Sequence, residues 1–200
     1  LIPPFKLYKA GELNDDMLRL ILNQVRMKDW NRSDLNAIVA ACRTAGRRIV
    51  ELCDRFGPET YVSTLNALLQ RNFLAMKQLI ATTIPADETL TFTDYICDDG
   101  MGFGPYKIHC SMYREGDGVV LDFTGTDPQS PGSINYYLNE NLYKMFFGIY
   151  MIMVFDPQIL FNDGFYDLME VRIPSGTLLK PLKPAALSCR THALGRIFDI

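Results

Sequence analysis

The chain has 200 residues, of which 48% are hydrophobic and 22% are charged, and this composition predicts one or two folded domains rather than a disordered chain. Its formal net charge is -3, and Lys and Arg are dispersed among acidic residues, which argues against nucleic-acid binding. The most apolar run, residues 145–155, is shorter than the ~20 residues that span a bilayer, so we expect no membrane partner either.

Two helices are predicted at the start of the chain. Asn14 can cap a short helix over residues 15–26 by accepting a hydrogen bond from its first turn. The next helix is longer, with Asn31 or Ser33 as its N-cap and Gly57 as its end. Its apolar residues recur at the 3,4 spacing of a helix face: Leu35, Ile38, Val39, Cys42, Ile49, Leu52, Cys53 and Phe56. This stripe predicts an amphipathic helix.

A third helix is predicted to open at Pro58 and to close before Pro85, because its apolar residues keep the helical spacing. Only a Gly-Pro turn separates it from the second helix. We therefore expect the two to pack as an antiparallel hairpin. Residues 1–86 are predicted to be a helical region.

Apolar residues then recur with a period of two, as in half-buried β-strands. Residues 89–96, 106–112 and 119–123 alternate in this way, and the turn REGDG (residues 114–118) joins the last two. These strands predict an antiparallel meander. Helices first and strands afterwards indicate an α+β fold, with residues 87–200 as a mixed α/β region.

A loop rich in glycine, proline and side-chain oxygens follows the meander: DFTGTDPQSPGSINYYLN (residues 122–139), with its Gly/Pro-rich part at residues 124–134. We expect the buried aromatic helix after it to start at Ser133 or Asn135. The free N–H groups and the dipole at a helix start favour negative charge, so this loop is a candidate pocket or anion seat. The side chains that could contact a ligand are Thr124, Thr126, Asp127, Gln129 and Asn135.

The same polar side chains have a second interpretation. Ser, Thr, Asp and Asn in turns routinely form hydrogen bonds with one another and with the backbone. On the residues alone, we favour a tightly folded, internally bonded loop over a ligand site.

The C-terminal part is predicted to contain one more strand at residues 169–173, a Pro-rich passage, and a helix that is unfinished at Ile200. In SCRTH (residues 188–192), the planar guanidinium of Arg190 could bind a carboxylate or phosphate through two hydrogen bonds, and His192 could transfer protons. Either side chain could line a pocket. The simpler interpretation is that the serine of this motif caps the last helix.

No metal site and no nucleotide motif are predicted in this chain. His109 and His192 lack a partner at HxxH or HExxH spacing, and we expect His109 to be solvated on the polar face of its strand. GMGFG (residues 100–104) precedes a strand rather than a helix, unlike a dinucleotide fingerprint. Asp98 and Asp99 are interpreted as turn formers rather than as a catalytic acid pair.

The five cysteines include no CxxC pair and are scattered through apolar surroundings, which predicts reduced thiols and a cytoplasmic location. The chain begins without Met and has no signal-peptide pattern. We expect it to be a fragment of a larger subunit.

Several motifs of this chain resemble those of one enzyme family. The loop contains F-T-G-T-x-P-Q-x-x-G-x-x-N (residues 123–135). Other matching segments are IPPFKLYKAGELND (2–15), RSDLNAIVAACRTAGRRIVEL (32–52), DDG (98–100), FNDGFY (161–166), VRIPSGTLLKP (171–181) and PAALS (184–188). Together they resemble the hydantoinase B / 5-oxoprolinase-like subunits. Within that family, the closing run ALSCRTHALGRIFDI (186–200) and the aromatic helix are most similar to acetone carboxylase alpha subunits.

This resemblance implies that the chain is a segment of an ATP-dependent ketone carboxylase, which converts acetone and bicarbonate to acetoacetate in a hetero-oligomer. It implies manganese and ATP for the whole complex but none bound by this segment, with nucleotide handled by a partner subunit and the metal ligands before residue 1. Within the family, the alternative is hydrolysis of a cyclic amide by an N-methylhydantoinase or 5-oxoprolinase B-type subunit. Both chemistries imply oxyanionic intermediates, which an anion seat would stabilise.

A different class of hypothesis is that the segment is a non-catalytic scaffold. In that case the helices pack against the rest of the subunit and its partners, while the chemistry takes place elsewhere. We expect the isolated chain to be inactive.

Overall fold

A computed structural model describes residues 4–199 of the chain. It contains two compact units, Leu1–Ser63 and Thr64–Ile200. The predicted change from a helical to a mixed region near residue 87 lies within the second unit, between a helix that ends at Thr83 and a strand that begins at Leu90. Sequence periodicity marks where secondary structure changes, which need not be where contacts between units are fewest.

The first unit begins with a small hairpin and a short helix. Strand β1 (Tyr8–Lys9) pairs antiparallel with β2 (Glu12–Leu13). Helix α1 (Asp15–Asn23) is capped as predicted, because the side-chain oxygen of Asn14 accepts a hydrogen bond from the backbone N–H of Met17 at 3.3 Å.

The long helix α2 (Lys28–Phe56) begins earlier than predicted. Its N-cap residue is Met27, and no side chain makes a capping hydrogen bond there, so Asn31 and Ser33 are wrong as caps. The Asn31 side chain instead donates hydrogen bonds to the carbonyl oxygens of the turn before it. The predicted end of the helix at Gly57 is confirmed, with a φ of 85° that glycine adopts at low cost.

Helix α3 (Pro58–Thr83) begins at the predicted proline and ends before Pro85, which confirms both predicted bounds. Near its C-terminal end it buries Asn72, Met76, Leu79 and Ile80. Because the helix crosses the division between the two units, antiparallel packing of α2 and α3 stays a prediction.

A four-stranded sheet with the order β3-β4-β5-β6 forms the framework of the second unit. Strands β3 (Leu90–Ile96), β4 (Tyr106–Glu115) and β5 (Gly118–Asp122) are antiparallel neighbours, which confirms the predicted meander. Strand β6 (Met169–Arg172) lies parallel to β5. A parallel neighbour requires a long crossover, and the chain between β5 and β6 provides it.

The crossover contains helix α4 (Glu140–Phe155) and a 3-10 helix (Asp163–Leu168), and helix α5 (Thr191–Asp199) follows β6. Asn139 caps α4 by accepting a hydrogen bond from the backbone N–H of Leu142 at 2.9 Å. The predicted helix starts at Ser133 and Asn135 are therefore wrong. The sequence expectation that the last helix is unfinished at Ile200 lies outside the described residues.

Helix α4 is buried on one side only. Tyr143, Gly148, Met151 and Ile152 are buried, while the opposite side exposes residues such as Met153, at 71%. The helix that was expected to be buried is therefore half covered. Among residues 4–199, no helix has both the length and the apolar character that crossing a bilayer requires.

The core of the second unit consists of two apolar clusters. One includes Phe123, which is fully buried and packs edge-to-face on Tyr143 with ring centroids 5.2 Å apart. The other surrounds Phe165, also fully buried, which lies against Gly148 of α4 so closely that a Cβ atom there would collide with the ring. These clusters fix the positions of the loops that surround the candidate site.

Candidate functional site

The loop at residues 122–139 is folded against the segment that follows β6. Backbone N–H groups of Gln129 and Tyr136 donate to carbonyl oxygens of Gly176 and Leu178, each at 2.9 Å. An isolated β-bridge joins Pro128 to Thr177 in the same region. The loop is thus held along its length by main-chain hydrogen bonds.

Asn135 is the central side chain of this loop and is fully buried. Its amide nitrogen donates to the carbonyl oxygens of Ser130, Gly132 and Ala186 at 2.9–3.1 Å, and its oxygen accepts from the N–H of Ser130 at 2.8 Å. Both amide hydrogens of Asn135 are thus engaged by backbone carbonyl oxygens, and the side chain is held inside the loop rather than at a helix start. Its burial explains why α4 starts later, at Asn139.

The other polar loop residues form similar local bonds. The Thr126 hydroxyl accepts from the N–H of His109 and donates to its carbonyl oxygen, both at 3.1 Å. The Asp127 carboxylate accepts from the N–H of Lys107 at 2.7 Å. The Gln129 amide pairs with both backbone groups of Leu182. These contacts agree with the internally bonded loop favoured from the sequence.

Thr124 is the exception among the five loop candidates, because its side chain is exposed. Its backbone N–H donates to the carboxylate of Asp122 at 2.8 Å, which forms a tight turn at the end of β5. The predicted anion seat needed helix N–H groups at Ser133 or Asn135, and those groups are not at a helix start. Ligand binding by the loop itself stays a prediction.

Asp99 links this loop to the segment between β3 and β4. The sequence analysis did not predict this linking role. One carboxylate oxygen accepts from the backbone N–H groups of Met101 and Phe103, at 2.9 and 3.2 Å. The other accepts from the hydroxyls of Tyr106 and Ser130, at 3.0 and 2.7 Å. Asp99 is a turn former as predicted, and it also ties two distant loops together.

The protonation state of Asp99 follows from these contacts. Burial alone would raise the pKa of its carboxyl group, but the four hydrogen bonds outweigh burial and lower the pKa to about 2. The group is therefore ionised at neutral pH. An ionised carboxylate with four donors is suited to holding a structure and unsuited to donating a proton.

Gly132 completes the contact between these two loops, which is a junction formed by Asp99, Ser130 and Gly132. A Cβ atom at Gly132 would lie 2.7 Å from the carbonyl oxygen of Asp99. Its N–H donates to the Ser130 hydroxyl at 2.8 Å, which in turn donates to Asp99. The glycine of the family motif is thus required for close approach of two loops, which explains its place in the sequence pattern.

A cleft of about 570 Å³ opens beside this junction, between the β3–β4 connection, the loop and α5. Its polar lining includes Asp98, Ser133, Cys189, His192 and Arg196. His192 lies in this lining, whereas Arg190 is exposed and lies outside it, and a ligand role for either side chain stays a prediction. This volume lies within the range that small ligands occupy.

Of the charged side chains in the cleft lining, Arg196 is compensated by carboxylates, whereas Asp98 forms no salt bridge with residues 4–199. The Arg196 guanidinium contacts the Asp94 carboxylate at 3.0 Å and that of Asp199 at 3.4 Å. The imidazole of His192 is exposed and can donate or accept a proton. Cys189 is an exposed free thiol, and its backbone N–H donates to the Ser133 carbonyl oxygen at 2.9 Å. The cleft can therefore hydrogen-bond a small polar molecule without requiring it to be charged.

His109 does not belong to the cleft. Its two ring nitrogens lie 2.8 Å from the Thr93 hydroxyl and 3.1 Å from the Ser111 hydroxyl, on the polar face of the sheet. The ring is half-buried rather than solvated, because Gly125 of the loop passes over it. The sequence expectation of a solvated histidine is wrong on this point.

A metal does not fit the residues that the structure describes. Between residues 4 and 199, no three His, Cys, Asp or Glu side chains are placed together so that they could hold an ion. What the side chains of the cleft can offer a ligand is hydrogen bonding and, at His192, proton transfer.

Comparisons with known proteins agree over the whole chain. The family model Hydantoinase B/oxoprolinase matches residues 1–200. The chain is 29% identical to caprolactamase subunit beta of Pseudomonas jessenii, over 99% of this chain and 34% of that protein. It is 30% identical to 5-oxoprolinase PfmaA of Pestalotiopsis fici, over 99% of this chain and 16% of that protein.

A carboxylase subunit also matches. The chain is 23% identical to the delta subunit of acetophenone carboxylase from Aromatoleum aromaticum, over 94% of this chain and 27% of that protein. The chain therefore spans about a third or less of the length of these three relatives. They do not single out the acetone carboxylase alpha subunit to which the sequence motifs pointed.

Two solved structures share the fold. The crystal structure of ATP-dependent caprolactamase from Pseudomonas jessenii has a TM-score of 0.81 and 29% identity, over 95% of this chain and 32% of that one. Nucleotide-free acetone carboxylase has a TM-score of 0.77 and 18% identity, over 94% of this chain and 26% of that one. The second likeness shows the fold alone.

Proposed function

Because this chain belongs to the hydantoinase B/oxoprolinase family, we propose that the protein containing it is a subunit of a multi-subunit enzyme that uses ATP to open a cyclic amide. One observation carries this proposal. The two relatives with 29% and 30% identity over nearly the whole chain are named for caprolactam and 5-oxoproline, and both compounds are cyclic amides. The solved caprolactamase is described as ATP-dependent.

In this proposal the cleft beside Asp99 binds a small polar ligand. A lactam presents one carbonyl acceptor and one N–H donor, and it carries no charge at the ring. The hydroxyl of Ser133 and the imidazole of His192 lie in the cleft lining and supply such partners. Because Arg196 is already paired with two carboxylates, the partners that the cleft offers the amide group of a lactam are hydrogen-bonding side chains.

The roles of two titratable groups differ in this cleft. Asp99 stays ionised and bonded, and it positions the loops that form the walls. His192 is the group that can move a proton to or from the bound ring. We propose that manganese is held outside residues 4–199, because those residues offer no donor set for a metal. We propose the same for ATP, because the sequence contains no recognisable nucleotide-binding motif.

The test is substrate dependence of ATP hydrolysis in the complete complex, isolated with its natural partner subunits. Caprolactam, 5-oxoproline and hydantoin are compared with acetone plus bicarbonate, and ADP formation is measured. We expect at least one cyclic amide to stimulate ATP hydrolysis and acetone plus bicarbonate to leave it at the background rate. Stimulation by acetone plus bicarbonate and by none of the cyclic amides would overturn the proposal.

Ketone carboxylation is the second candidate. The match to the delta subunit of acetophenone carboxylase over 94% of this chain favours it. In the same assay, this candidate predicts ADP formation that requires both a ketone and bicarbonate.

A scaffold role applies to the isolated chain under either chemistry. The chain spans 34% of caprolactamase subunit beta, so we expect it to carry only part of the catalytic site. Its described residues include no metal donor set. The isolated chain is therefore expected to show no substrate-dependent ATP hydrolysis. Activity in the segment alone would contradict the scaffold role.

A further inference from the structure

Helix α5 presents one face to the candidate cleft. His192, Gly195 and Arg196 lie three and four residues apart, so they share this face, and all three line the cleft. On another side of the helix, Ala193 and Ile197 are buried in the core. The helix and all residues of the lining belong to the second unit, so the cleft is formed within one unit.

Gly195 is a residue that the conformation of the helix does not explain. It is the fifth of the nine residues of α5, and glycine is less favourable than alanine in the interior of a helix. Its backbone is helical, without the positive φ that favours glycine. Another reason is therefore needed for a glycine at this position.

Packing within the chain does not supply that reason. A Cβ atom placed on Gly195 would meet no atom within 4 Å, apart from its chain neighbours and the backbone of its own helix. Gly148 of α4 is different, because a Cβ atom there would collide with the ring of Phe165. The space next to Gly195 is open, and it is part of the cleft.

This open space lies beside His192. Side chains of an α-helix lean toward its N-terminus, so a side chain at position 195 would cover the preceding turn. On this face of α5, the preceding turn carries His192. The lack of a side chain at Gly195 therefore leaves room next to the imidazole that can move a proton.

We propose that Gly195 determines which substrates the cleft accepts, because it leaves room beside His192 for the ring of the cyclic amide. This inference rests on the proposed function. The apolar part of the ring packs against the bare backbone of α5 at Gly195, while its amide group forms hydrogen bonds with Ser133 or His192. A local loss of helix stability that keeps a ligand space open is typical of functional sites.

The first test is the KM of the complete complex for caprolactam, 5-oxoproline and hydantoin, with ADP formation as the readout. For each cyclic amide that stimulates the wild type, Gly195→Ala should raise KM about tenfold and Gly195→Leu about 100-fold or more, because each added carbon atom takes space from the ring. Gly46→Ala is the matched control. Gly46 is also helical and has no atom near its Cβ position, but it lies outside the cleft, so KM should stay within about twofold.

The second test is thermal unfolding of the same complexes, which requires no substrate. Gly195→Ala should leave the midpoint unchanged or raise it, because alanine favours the helix and its methyl group meets open space. We therefore expect this variant to bind the substrate less well without being less stable. A lower midpoint would show that another part of the subunit packs against Gly195, and it would overturn the proposal.

The assay separates failure of this inference from failure of the proposed function. If a cyclic amide stimulates ATP hydrolysis and its KM is the same in the wild type and in Gly195→Leu, the role of Gly195 is wrong and the proposed function stands. If no cyclic amide stimulates the wild-type complex, the proposed function is wrong, and the role of Gly195 is wrong with it.

Discussion

At the scale of single residues, a few buried side chains hold the loops of the candidate site in place. Asp99 and Asn135 together accept or donate eight hydrogen bonds, of which Asp99–Ser130 and Asn135–Ala186 join segments 31 and 51 positions apart. The motif around Asn135 marks the loop as important, but no local pattern shows that its amide is buried. Asp99 resembles an ordinary turn residue, because its partners Tyr106 and Ser130 are defined only by the tertiary fold.

The ionisation of Asp99 makes a pH-dependent prediction. Its pKa is lowered to about 2 in the folded protein from an ordinary value of 3.8, so its stabilising effect is complete above pH 4 and is lost as the pH falls toward 2. We expect Asp99→Asn to be less stable than the wild type at pH 7 and to lose this difference near pH 2. Urea denaturation at a series of pH values measures it. Asp98→Asn, an exposed neighbour, is the matched control and should show no such trend.

Asn135 and Asn139 provide a second comparison. Asn135→Ala leaves buried backbone groups without partners and should lower the free energy of unfolding by on the order of 3 kcal/mol. Asn139→Ala removes only the cap of α4 and should cost about 1 kcal/mol. Chemical denaturation of both variants checks the ranking. Equal effects would mean that Asn135 contributes no more than a cap does.

His192 is the residue at which the proposed chemistry can be tested directly. In the complete complex, His192→Gln should lower kcat by about 100-fold, because a positioned general acid or base contributes roughly that factor or more. His109→Gln removes the other histidine, which lies outside the cleft, and should leave kcat near the wild-type value. A reduction of kcat by both variants alike would indicate a general loss of structure.

At the scale of secondary-structure elements, periodicity predicted the meander, the three early helices and the last strand. The predictions failed where two local signals competed. Both Asn135 and Asn139 are good capping residues, and the choice between them depends on contacts of Asn135 with a segment that the sequence places far away. The early start of α2 was missed for a similar reason, because it has no capping side chain at Met27.

Helix α4 permits a prediction about packing. Gly148 lies against the ring of Phe165, so Gly148→Ala should destabilise the protein by about 1–3 kcal/mol through overpacking, despite the higher helix propensity of alanine. A methyl group at Gly195 of α5 would meet open space, and Gly195→Ala should be neutral or stabilising by up to about 1 kcal/mol. Thermal unfolding should therefore show a lower midpoint for Gly148→Ala and an unchanged or higher midpoint for Gly195→Ala. A stabilising Gly148→Ala would contradict the close contact of this helix with Phe165.

At the scale of the whole molecule, the family assignment and the fold agree with the sequence motifs. The reported relatives do not favour the acetone carboxylase alpha subunit over other members of the family. The segments that carry the motifs, such as FNDGFY and the loop from Phe123 to Asn135, form structural junctions in this chain. Residues that hold loops together determine the fold rather than the substrate, which explains why these motifs identify the family and leave the substrate open.

The most direct test of the proposed function is the stoichiometry of ring opening in the complete complex. Cyclic amide, ATP and enzyme are mixed with and without added bicarbonate, and the ring-opened product and ADP are both measured. Opening of the amide coupled to ATP hydrolysis, at equal rates with and without bicarbonate, is the predicted result. In a parallel mixture, acetone and bicarbonate replace the cyclic amide. ADP formation there that requires both compounds, with no ring-opened product in the first mixture, would contradict the proposal.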